Sequence, residues 1–214
     1  MTRITVLGGT GYAGGHIVRE AVARGHEVTS LSRTLPAEQV EGVTYRTGDL
    51  LDPDVVAHVA VGADVVVHAL ALRGPLEGRL RDIARAVAAE AADAGARVGF
   101  VGGAGSLLAS EGGPLVADGP DFPPAFHAEA MTMAAILADL RATDARLDWF
   151  MLSPSAGLGS FAPGERTGSF RTGDDVLLVD DAGESFISGA DYAIAFLDEI
   201  ENPAHRRARF TVGY

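Results

Sequence analysis

Residues 3–14 constrain the fold of this chain more than any other stretch. Arg3-Ile4-Thr5-Val6-Leu7 alternates and ends in β-branched and aliphatic residues, the pattern of a buried strand. Gly8-Gly9-Thr10-Gly11-Tyr12-Ala13-Gly14 follows directly. Ile17, Val18, Ala21 and Val22 then recur at helical spacing until Gly25. A strand, a glycine-rich turn and a helix in this order predict a phosphate-binding corner. Gly8 allows the tight turn, Gly11 lets backbone approach a pyrophosphate with no Cβ in the way, and Gly14 lets helix and strand pack closely. Free N–H groups at the helix start, with the helix dipole, favour an anion there. The plain alternative is a packing turn with no ligand.

The glycines are spaced Gly8-x-x-Gly11-x-x-Gly14. GGTGYAG directly after an N-terminal strand resembles the short-chain dehydrogenase/reductase superfamily. The resemblance is to its extended and atypical branch, with NAD-dependent epimerase/dehydratase-like, NmrA-like and flavin-reductase-like members. It implies an NAD(P)-binding Rossmann fold: α/β, doubly wound, with a mainly parallel sheet of order 3-2-1-4-5-6 plus a C-terminal strand. It places Gly8, Thr10, Gly11, Tyr12, Ala13 and Gly14 at the cofactor.

Along the chain, 27–31 reads as the second strand, ending at Ser32-Arg33-Thr34. In a Rossmann unit this end meets the adenosine ribose, where an acidic residue suits NAD and an arginine suits the 2′-phosphate of NADP. Arg33 stands there and no carboxylate ends the strand, so NADP(H) is the preferred cofactor, with NAD(H) possible; the alternative is a solvated arginine. A third strand, 43–46, leads to Asp49-Leu50, which resembles the superfamily's adenine border; Asp49 could equally be a turn aspartate bonding its own backbone. Ala63–Ala69 is a nearly continuous apolar strand, as a central parallel strand is. It resembles the superfamily's D-V-V-x-H-x-A segment, which passes the cofactor, and so adds His68, Ala69 and Leu70 to the expected site. His68 also reads as a satisfied core histidine.

An amphipathic helix is predicted over about 76–94 and a fifth strand over 97–101. The resemblance puts a catalytic serine just after that strand, where Ser106 stands. Residues 107–125 have no clear period and read as a functional or mobile loop. The superfamily places a tyrosine and a lysine, four apart, at the start of the next helix, about 125–142. Here those positions hold Phe126 and Ala130, or His127 and Met131 if shifted by one. The sixth strand, 147–152, opens into Ser153-Pro154, which resembles the loop beside the nicotinamide. Val176–Val179 reads as a short extra strand, 190–201 as a final helix with Ser188 and Asp191 structural at its start, and 209–212 as a closing strand. One domain spans 1–214, with a small substrate-side part at about 153–189.

Composition narrows the chemistry. The formal charge of −12 argues against nucleic acid and anionic membrane as partners. There is no cysteine, hence no disulfide or thiolate chemistry, and no apolar run of membrane-spanning length; both fit a cytoplasmic protein, monomer or homodimer. All 17 basic residues are arginine, which removes any lysine ammonium. The six histidines are scattered, so no metal site is expected. Without tyrosine or lysine, alcohol/ketone chemistry by the superfamily's route is disfavoured. Hydride transfer to a flavin or quinone needs alignment more than an acid, since solvent can protonate the product. Ser106 and His127 are the remaining polar candidates at the pocket; His127, near a helix N-terminus, also reads as simply exposed. The expectation is an NADPH-dependent reductase of a small-molecule flavin- or quinone-like acceptor. The alternatives are a non-catalytic NmrA-like dinucleotide sensor and, more weakly, an epimerase-like enzyme on a small substrate.

Overall fold

A computed structural model describes all 214 residues. The runs that read as continuously apolar become the centre of the sheet. β4 (Val65–His68) is buried at every position, between β1 (Arg3–Leu7) and β5 (Arg97–Val101). β2 (Glu27–Ser32) and β3 (Val43–Thr47) extend the sheet beyond β1, and β6 (Trp149–Pro154) extends it beyond β5. β8 (Ala208–Gly213) pairs with β6, and β7 (Arg171–Gly173) closes that edge. The order is β3-β2-β1-β4-β5-β6-β8-β7, as the glycine corner and strand pattern predict. Only the β7–β8 pair is antiparallel.

Helices cover both faces because each parallel connection must cross back over the sheet. α1 (Tyr12–Ala23) and α5 (Gly189–Glu201) pack on one face, over Val6, Val67, Phe150 and Val212. The short α2 (Pro53–Val56), α3 (Leu80–Ala94) and α4 (Pro124–Arg141) cover the other, over Leu7, Val66, Phe100 and Met151. No helix is long and apolar enough to cross a membrane.

Two elements depart from the sequence pattern. α3 begins at Leu80, not near 76, because Gly74–Leu76 forms a tight 3-10 turn and Gly78 takes a left-handed φ of 70°. Val176–Val179 does not form a strand; Arg171–Gly173 takes the edge position instead. Leu178 covers Gly173 and Gly213 with its side chain, and Val176 meets Leu108 in an isolated bridge. The long loop after β5 is anchored accordingly: Leu108 N–H donates to the Asp175 carbonyl at 2.8 Å and Leu177 N–H to the Leu108 carbonyl at 2.9 Å.

The start of α5 ties the C-terminal part to α1. The Ser188 hydroxyl accepts from the Asp191 N–H at 3.1 Å, an N-cap. The buried Asp191 carboxylate accepts from Thr167 N–H at 3.0 Å, Gly168 N–H at 2.9 Å and the Tyr214 hydroxyl at 2.6 Å. Those donors hold its pKa below the usual carboxylate range although burial pushes it up. One turn away, Arg166 bonds Glu20 of α1 at 2.5 Å. Segment 163–168 is thereby fixed beside the glycine turn, where the Tyr12 hydroxyl donates to the Pro163 carbonyl at 3.4 Å.

Candidate functional site

The sheet order reverses between β1 and β4, and in a doubly wound sheet ligands bind outside the strand ends at that switch point. There the backbone of β1's exit lies against β4's exit. A Cβ on Gly8, whose φ is 83°, would come within 2.7 Å of the Ala69 carbonyl oxygen. A Cβ on Gly9 would strike Ser30 and Val18, and one on Gly14 would strike the Gly8 carbonyl. These three glycines answer to packing. Gly11 does not: its φ is −77°, open to any residue, and a Cβ would meet only the Gly8 carbonyl, at 3.3 Å. That contact asks the Gly8 carbonyl to give by a few tenths of an ångström, far less than the overlaps at Gly8, Gly9 and Gly14, so packing constrains Gly11 least of the four.

Gly11 is the N-cap of α1 and carries no capping side chain; the first turn holds no acidic residue. The first N–H groups of the helix lack helical acceptors, so this end of α1 presents donors and positive potential with no carboxylate of its own to neutralise them. Tyr12 and Ala13 are half-buried beside it, the Tyr12 ring edge-on to His16 at 5.0 Å. The exposed Thr10 hydroxyl donates to the Ser32 hydroxyl at 3.1 Å, joining the glycine turn to the end of β2. Arg33, next along, is exposed and makes no ion pair.

Other expected site residues turn inward. Leu50 packs into the α3/α4 core, while Asp49 accepts from the Leu51 N–H at 3.0 Å in a local turn. Ser153 and Pro154 are buried, so what they present to a ligand is backbone. Ala69 and Leu70, half-buried, border the switch point. His68 is fully buried with its ring 4.9 Å from Phe100, and neither ring nitrogen has a hydrogen-bond partner. It is a core histidine but not a satisfied one, and burial pushes its pKa down to about 4.

Of the two candidate proton donors, one turns inward and the other lies at the surface. Ser106 is 2% exposed, and its hydroxyl donates to the Gly103 carbonyl at 2.8 Å. His127 is exposed on the first turn of α4 with its ring 6.5 Å from Phe122. The α4 face against β5's exit turn carries Ala130, whose Cβ abuts Gly105, and Met133, next to Gly103. Phe126 stands one turn before Ala130 and is 50% exposed. Phe126 and Ala130, four apart, thus hold no ionisable group, while the pair shifted by one is His127 and Met131. Gly102, Gly103 and Phe122, which line the same turn, carry no sequence signal for it beyond a glycine cluster.

A sequence model of a family described as NAD(P)H-binding matches residues 8–203. The uncharacterised protein YwnB of Bacillus subtilis is 38% identical over 213 residues, covering 98% of this chain and 97% of that one. Among solved structures, a Burkholderia pseudomallei protein provisionally named as exported is 40% identical, with a TM-score of 0.85 over the full length of both chains. SP1627 of Streptococcus pneumoniae, provisionally named an NADH-flavin reductase, is 32% identical, with a TM-score of 0.87 over 100% of this chain and 99% of that one.

His68 generates a prediction about stability. Its folded pKa lies near 4, whereas an unfolded histidine titrates near 6.5. Between these values the unfolded chain binds more protons, so stability rises with pH and is lost as pH falls through the window. Urea unfolding at pH 7 and pH 4.5 should show the wild type losing about 2–3 kcal/mol more than His68→Leu. Parallel pH dependences for the two proteins would contradict the burial argument.

Proposed function

Because this chain belongs to the NAD(P)H-binding family of the atypical short-chain dehydrogenase/reductase superfamily, we propose that it is an NADPH-dependent reductase of a planar flavin- or quinone-type acceptor. It works by aligning the two reactants, without a dedicated side-chain acid. The observation that carries this reading is the apolar surface on α4, where Phe126 and Ala130 occupy the positions at which the superfamily has its tyrosine and lysine. A carbonyl acceptor needs a proton delivered as the hydride arrives; a flavin or quinone does not, because its reduced form takes a proton from solvent.

The residues present fit the dinucleotide. The N–H groups of α1's first turn would hold the pyrophosphate where Gly11 leaves the approach clear. The Thr10 and Ser32 hydroxyls and the unpaired Arg33 guanidinium would hold the adenosine ribose and its 2′-phosphate. The backbone at Ala69, Leu70, Ser153 and Pro154 would border the nicotinamide. Bound NADPH supplies the hydride. The rest of the site orients and excludes: Phe126 and Phe122 offer apolar surface to a flat ring, and the turn after β5 sets its distance. The Streptococcus relative's name supports a flavin acceptor, though it gives NADH as the donor; the choice of NADPH rests on Arg33. The inward Ser106 hydroxyl and the absent dyad also favour a second reading, a dinucleotide sensor that binds NADPH without turnover.

Steady-state NADPH oxidation with riboflavin, FMN and a simple quinone tests this. Ser106→Ala and His127→Ala should each lose less than about tenfold, whereas removing a true general acid costs about a hundred- to ten-thousandfold. A thousandfold loss at either residue, with NADPH affinity unchanged, would show a dedicated proton donor. NADPH binding with no oxidation by any acceptor would favour the sensor. A second test concerns the cofactor: an arginine–phosphate contact is worth about 1.5–3 kcal/mol, so Arg33→Ala should weaken NADPH by roughly ten- to a hundredfold and leave NADH nearly unchanged. Equal losses for both would contradict the 2′-phosphate assignment.

A further inference from the structure

A buried polar cluster lies beneath the turn that leaves β5, on the sheet face covered by α4. Its centre is Arg209 of β8, a residue the closing strand would be expected to fill with an apolar side chain. Arg209 is 6% exposed. Its Nη1 donates to the Ser106 carbonyl at 2.6 Å, and its Nε donates to Asp175 Oδ1 at 2.6 Å. Asp175 also accepts from Arg141, at the end of α4, at 2.9 Å. Two residues along β8, Thr211 Oγ1 donates to the Ser153 carbonyl at 2.8 Å. The exits of β5 and β6 are therefore each held from below by a β8 side chain.

Stability alone is a poor reason for this arrangement. Burial disfavours the Arg209 cation, and the Asp175 pair offsets that cost. Only the arginine is buried, since the Asp175 side chain is 37% exposed; an arginine placed in a core at that cost is well explained by the geometry it imposes. What Arg209 grips is specific. Its bond goes to the backbone of the Gly103–Ser106 turn, which also bonds itself internally through the Ser106 hydroxyl and faces Ala130 and Met133 of α4. On the reductase reading, that turn would border the space where acceptor and nicotinamide meet.

We propose that Arg209 is a positioning residue for hydride transfer: by holding the Ser106 carbonyl it fixes the turn that sets the acceptor against the nicotinamide, while taking no part in dinucleotide binding. The inference rests on the reductase reading for its kinetic consequence and on the Arg209–Ser106 bond for its structural one. Arg209→Met keeps the volume, and Asp175 keeps Arg141 as partner, so no carboxylate is stranded. The experiment compares wild type, Arg209→Met and Arg209→Lys by acceptor kinetics, by NADPH titration and by hydrogen exchange with and without NADPH. Arg209→Met should lower turnover with flavin or quinone by about ten- to a hundredfold, the cost of a reactant misplaced by an ångström or less. Its NADPH affinity should stay unchanged, amides of 102–108 should exchange faster, and those of 8–14 should not; Arg209→Lys should recover part of both losses. Unchanged exchange at 102–108, or faster exchange with unaltered turnover, would overturn the proposal. If the wild type turns over no acceptor, the reductase reading fails separately. The proposal then stands if NADPH protects 102–108 in wild type but not in Arg209→Met, and falls if it protects both alike.

Discussion

The approach of Gly8 to Ala69 is the constraint on which the rest of the site depends. Two parallel strands leave the sheet at the switch point, and the backbone of one can lie against the Ala69 carbonyl because Gly8 carries no Cβ. Gly8 needs its left-handed φ to turn the chain there, Gly14 must be bare to let α1 pass over the Gly8 carbonyl, and Gly9 must be bare to seat on Ser30 and Val18. Once these are satisfied, α1 has only one place to begin. Its N-terminus opens into the crevice between the strand exits, with donors exposed and no acidic residue in its first turn. In a chain of net charge −12, that uncharged corner and the unpaired Arg33 beside it are a local exception that suits an anion.

The acceptor side is built on a different principle. Its walls are apolar or backbone, and most polar groups nearby bond structurally, although the buried Ser153 hydroxyl has no partner. Ser106 bonds its own turn, Asp191 holds segment 163–168, and Arg209 and Thr211 brace the two exits from below. His68 lies buried and neutral behind the site. The imidazole on α4's first turn, His127, is exposed. On the proposed reading, such a site favours reactions that need only hydride delivery at a fixed distance.

Much of this was legible in the residues. The glycine corner and the apolar β4 run predicted the sheet order, because those signals are local or tied to a fixed spacing. The roles of individual glycines were less legible. Spacing gave Gly14 its packing role, but it could not tell that Gly9 also answers to packing or that Gly11 is the least constrained of the four. Side-chain direction was the weakest inference: Ser106 and Ser153 stand where a site would have them but face inward, and His68 lies in the core without the partners a buried imidazole normally has. Val176–Val179 shows the limit of propensity, since the partner strand was taken by Arg171–Gly173 and the apolar run was used to cover glycines. Arg209 was visible as a charge in a buried strand, yet its partners lie 34 and 103 residues away.

The account stands or falls on whether the clearance at Gly11 exists for a dinucleotide. Calorimetric titration of NADPH into wild type and Gly11→Ala measures this directly, with urea unfolding as the control for the fold. The account predicts that the variant folds, losing under about 1 kcal/mol for a poorer helix cap, while NADPH affinity falls by about tenfold or more. A Gly11→Ala protein that binds NADPH as tightly as the wild type would contradict it.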